Sequence, residues 1–104
     1  KRLKVRFYKI ALDNDNNLDL KKSLLKAKKL GFSRIFVESG IKLTTNFLNM
    51  NLVDDFNLFI SNKNLSSNGS GSIKKYLRFF LDKRKKIVCK VNLFGEKLMS
   101  YKLK

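Results

Sequence analysis

Glu38, Ser39 and Gly40 stand immediately ahead of Ile41, Lys42, Leu43, Thr44, Thr45 and Asn46. Leu43, Phe47 and Met50, with Leu48 and Leu52 beside them, recur at helical spacing. A helix that starts at Gly40 leaves its first backbone amides without partners and places the positive end of its dipole among them. That combination holds a phosphate-sized anion. The hydroxyls of Thr44 and Thr45 and the charge of Lys42 can add to the hold. Glu38 is then placed to accept hydrogen bonds from a second polar molecule, or alternatively to pair with a neighbouring lysine.

These residues need an element to aim them. Ile35, Phe36 and Val37 form a short apolar run between Gly31 and Gly40, the pattern of a strand covered on both faces inside a parallel sheet. Strand, tight turn and helix thus follow one another. Ligands of open α/β sheets lie outside the carboxyl ends of the strands, where Glu38 falls.

Other chemistries are poorly served. The chain has one cysteine and no histidine, so histidine bases, histidine triads and Cys–His zinc sites are excluded. Cys89 lies in the strand-like run Ile87-Val88-Cys89-Lys90-Val91 and reads as a small core residue. No intrachain disulfide is possible, which suits a reducing cytoplasm. Asp54 and Asp55 form a carboxylate pair, but at the mouth of a strand such pairs cap, turn or meet lysines. Asp13-Asn-Asp-Asn-Asn17 lacks the glycine and closing glutamate of a calcium loop and reads as a turn bonded to its own backbone.

The remaining elements follow in order. Leu3, Val5 and Phe7 alternate with Lys4 and Arg6, the period of a strand. Asp19 is a good helix cap, Leu20, Leu24, Leu25 and Ala27 make an apolar stripe, and Gly31 is the stop. Strand, helix and strand in this length predict a right-handed βαβ unit. Phe56, Leu58 and Ile60 read as a further strand. Residues 61–72 are rich in Ser, Asn and Gly and read as a loop. Ile73, Tyr76, Leu77 and Phe80 share one helix face, and residues 83–86 make a basic turn. Runs from Lys86 to Phe94 and from Lys97 to Leu103 flank Gly95 as an antiparallel hairpin.

With 104 residues, 43 % of them hydrophobic and nine of them Phe, the chain can bury the core of one domain. No apolar run approaches the roughly 20 residues of a membrane span. The first residue is Lys1 rather than Met, which points to a piece of a longer domain. A sheet with this much aromatic surface would expose apolar area, so a second chain or further residues are expected to cover it. The net charge of +16 raises nucleic acid as a partner. Lysine far outnumbers arginine, however, and abundant Asn, Lys, Ile and Phe without Pro or Trp reflect a bias of the whole sequence, so nucleic acid is not the expected partner.

The run from Gly31 to Phe59 resembles the reductase domain of the bifunctional riboflavin-biosynthesis deaminase–reductase. The residues that carry the likeness are Gly31, Phe36-Val-Glu-Ser-Gly40 with Leu43, Phe47 and Leu48, then Leu52-Val-Asp-Asp55 and Leu58-Phe-Ile-Ser61. The loop and final hairpin also look like that family's ending. The resemblance implies a dihydrofolate-reductase-like α/β fold: a mixed sheet with a βαβ core and a C-terminal antiparallel hairpin. Residues 1–104 would be the later part of one reductase domain, without the zinc deaminase domain. It implies NADPH-dependent reduction of 5-amino-6-(5-phosphoribosylamino)uracil to its ribitylamino product, in a cytoplasmic homodimer. Glu38 matches a substrate-contacting glutamate, which favours ligand contact over an ion pair. Gly40 and Ile41, Lys42, Leu43, Thr44, Thr45 and Asn46 match the segment around the cofactor phosphates. Ser39 stands where the family often has a first glycine, so the turn must hold it at negative φ or accept some strain. This stretch alone is expected to be inactive.

Overall fold

The computed structural model describes residues 3–61, 77, 81, 86–90 and 96–104, and within residues 86–90 the side chain of Ile87. The chain divides into two compact units, residues 1–38 and 39–104.

The first unit is built around helix α1 (Leu20–Lys29). Its start follows from Asp19, whose carboxylate accepts the amide of Lys22 at 3.0 Å and so satisfies one of the orphan donors of the first turn. The end is equally local. Gly31 takes φ +97, its amide donates to the Lys28 carbonyl and that of Phe32 to Ala27, the paired bonds of a Schellman stop. Lys26, Lys28 and Lys29 in the last turn meet the negative end of the helix dipole. Ahead of α1, the carboxylate of Asp13 accepts the amides of Asp15 and Asn17, each at 2.9 Å, and a bridge between Leu12 and Leu18 closes the loop. The loop expected at Asp13–Asn17 is therefore present, and it works by self-bonding of Asx side chains.

The second unit holds α2 (Ile41–Asn49), β1 (Asp55–Ile60), β2 (Lys86–Lys90) and β3 (Lys97–Lys102). Helix α2 ends as α1 does, with Asn51 at φ 55 in the left-handed position that asparagine tolerates. Its amide reaches the Leu48 carbonyl and that of Leu52 reaches Phe47. The three strands form an antiparallel sheet in the order β1-β3-β2. Phe56 opposes Tyr101 and Leu58 opposes Met99, which puts one apolar row on one face. Leu48 of α2, Leu77, Leu81 and Tyr101 make the buried cluster, with Val53, Phe56, Met99 and Leu103 against it. The opposite face carries Asn57, hydrogen-bonded from Ser100 at 2.6 Å, and the exposed Phe59 and Ile87.

Two expected strands are not formed. Residues 3–8 and 35–37 pair with nothing in a sheet, so the parallel βαβ core is absent among the described residues, whose sheet is antiparallel throughout. Leu3, Phe7 and Phe36 are 90, 89 and 87 % exposed. Alternation and apolarity make a segment fit for a strand, but its N–H and C=O groups are satisfied only by a neighbouring strand. Residues 62–72 of the expected loop, residues 83–85 of the basic turn, and residues 91–95 with the Gly95 of the hairpin turn lie outside the described residues. Of the helix expected over residues 73–80, Leu77 is described, and it is helical and buried, as is Leu81.

Candidate functional site

Gly40 is the N-cap of α2, with φ −68 and ψ 170, an extended conformation open to any residue. No side chain caps the first turn. The amides that follow Gly40 are therefore offered outward, as an anion requires. A Cβ built at Gly40 would meet nothing within 4 Å, so the approach to the helix start is clear. Lys42 in the first turn is exposed, and no ion pair to it is seen among the described residues of its unit. Ile41 and Asn46 are half-buried, while Leu43 is 40 % exposed.

The hydroxyls are more committed than the sequence suggested. Thr45 Oγ1 donates to the Ile41 carbonyl at 2.7 Å, one turn back along α2, so its proton is in use and only its lone pairs are free. Thr44 and Ser39 share a hydrogen bond of 2.8 Å, and Thr44 lies 3.4 Å from the Ser39 carbonyl. Sequence reasoning missed this pair. Ser39 precedes the cap and Thr44 is the fourth helical residue, the two positions that face each other across a helix start. That spacing was the available signal. Ser39 avoids positive φ, the unstrained of its two alternatives: among the described non-glycine residues only Asn16 and Asn51 adopt it.

Glu38 is the last residue of the first unit and is exposed, and it forms no ion pair among the described residues of that unit. Asp54 sits 3.5 Å from Lys104 and its carbonyl accepts the Leu103 amide at 2.7 Å, while Asp55 opens β1 opposite Lys102. Cys89 is paired in register with Leu98 within the β2–β3 ladder. Among the described residues no cluster of His, Cys, Asp or Glu could hold a metal ion, and no helix is long and apolar enough to cross a membrane.

No family model, curated protein or solved structure matches this chain.

Proposed function

We propose that this chain is the later part of an NADPH-dependent reductase domain of dihydrofolate-reductase-like fold, acting on 5-amino-6-(5-phosphoribosylamino)uracil in riboflavin biosynthesis. The observation that carries the reading is the uncapped, unobstructed start of α2 at Gly40. It fits a phosphate of the cofactor by the ordinary logic of a helix N-terminus. The residue pattern from Phe36 to Leu48 and from Leu52 to Ser61 is the second support.

In this reading NADPH supplies the hydride. The amides after Gly40 hold the cofactor's phosphates, and Lys42 adds a positive charge that needs little reach. Ser39 and Thr44 brace the turn so that those amides keep their direction. Glu38 accepts hydrogen bonds from the substrate. Binding and orientation are what such a site contributes, because the redox chemistry belongs to the cofactor.

Titration of the 104-residue chain with NADPH, followed by cofactor fluorescence, tests the reading. Saturable binding that is lost in Gly40→Val and weakened by salt is the expected result. Glu38→Ala should leave cofactor binding intact and weaken only the binding of the reaction product, the ribitylaminouracil phosphate. NADPH affinity unchanged in Gly40→Val would sink the assignment of the α2 start.

A further inference from the structure

We infer that residues 3–38 bind single-stranded nucleic acid, with exposed aromatic rings stacking on bases and the flanking cations meeting the phosphates. Composition alone argued against such a partner, since lysine excess can be a bias of the whole sequence. What composition does not give is the exposure of the rings. Phe7 is 89 %, Phe36 87 % and Phe32 61 % exposed, and Tyr8 is 42 % exposed. Each stands next to or two residues from a cation: Arg6-Phe7-Tyr8-Lys9, and Phe32-Ser33-Arg34-Ile35-Phe36. Between residues 3 and 38 there are nine Lys and Arg against four carboxylates. Two of those carboxylates are spent on local structure, Asp13 on its loop and Asp19 on the cap of α1.

The rings and cations lie within one unit. Lys26 of α1 stands 4.7 Å from the centre of the Tyr8 ring, which ties the first segment to the helix. On the C-terminal side an open groove is lined by Leu24, Lys28, Gly31, Phe32, Ser33 and Ile35, so the segment after α1 runs beside its last, lysine-rich turn. Exposed rings interleaved with cations suit a partner that offers flat apolar faces and a chain of anions together. An apolar protein surface laid on the same rings would desolvate the cations beside them without partners, at a cost. An acidic peptide would satisfy the cations and leave the rings in water. Duplex is a poorer fit than single strand, because its base faces are already stacked on one another.

The test uses the full chain and a short fluorescein-labelled oligothymidylate, read by anisotropy across a range of salt. Binding should weaken steeply as salt rises. Phe7→Ala and Phe36→Ala should each weaken it about fivefold or more, with the salt slope kept, while Phe7→Tyr and Phe36→Tyr retain it. Lys28→Glu combined with Lys29→Glu should lower the slope itself. Both rings are exposed, so circular dichroism of the variants should match the parent. Equal affinity for a duplex of the same length, or alanine variants that bind like the parent, would overturn the inference. So would preference for polyglutamate over the oligonucleotide.

Discussion

The hydroxyls of Ser39 and Thr44 lie 2.8 Å apart and tie the residue before the α2 cap to the fourth residue of the helix. Many helices carry an apolar contact at these two positions, where it fixes the direction of the incoming chain. Here a polar contact takes its place, and both residues are half-buried. Ser39→Ala and Thr44→Ala should each cost about 1 kcal/mol, the net worth of a partly buried hydrogen bond. The double variant should cost less than the two together, because either change already breaks the bond. Urea unfolding followed by circular dichroism measures the cycle, and strict additivity would show that the contact contributes nothing.

Gly40→Asp separates stability from binding. An aspartate at the cap can accept the amides that α2 now leaves free, which should stabilise the helix by about 0.5–1 kcal/mol. Nothing lies within 4 Å of the new Cβ to oppose it. The same carboxylate would occupy and repel the place of a phosphate. The melting temperature should therefore rise while NADPH binding is lost. A variant that is more stable and still binds would place the cofactor elsewhere.

Gly31→Ala should destabilise α1 by about 1 kcal/mol although the added methyl meets no neighbour. The cost is one of backbone conformation at φ +97, not of contact. Gly31→Asn should cost less, because asparagine accepts the left-handed region, as Asn51 already does at the end of α2. Amide exchange in the last turn of α1 would report both changes, and equal protection in the alanine variant and the parent would count against this account.

Leu77 is 1 % exposed and lies in the cluster with Leu48, Leu81 and Tyr101. Leu77→Ala should cost about 2–5 kcal/mol, the lost transfer energy together with the cavity left behind. Phe59→Ala, on the exposed face of the sheet, should change stability by no more than about 0.5 kcal/mol. Denaturant midpoints of the two variants give the comparison, and similar losses in both would relocate the core.

Both described helices were legible in the sequence, α1 at both ends and α2 at its start, whereas the stop of α2 at Asn51 was not foreseen. Asp19 before Leu20, Gly31 after Lys29 and the switch to helical spacing at Gly40 each act within a few residues of the bonds they set. The strand at Phe56–Ile60 and the pairing of residues 86–90 with 97–102 were equally plain, since alternation marks the first and closeness in sequence favours the second. The open start of α2 could be expected for the same local reason. The bond from Ser39 to Thr44 could not be found from apolar patterns, because hydroxyls stand where an apolar pair is usual.

Tertiary structure alone decided what became of the remaining extended segments. Residues 3–8 and 35–37 have the same alternation or apolarity as β1, and yet they join no sheet. It also decided that β3 is central, between β1 and β2, and that Leu48 of α2 is the residue buried with Leu77 and Tyr101. A helix closes its hydrogen bonds four residues away and so carries its own instructions. A strand completes its bonds on a distant segment, and no stretch of sequence states by itself whether that segment will arrive.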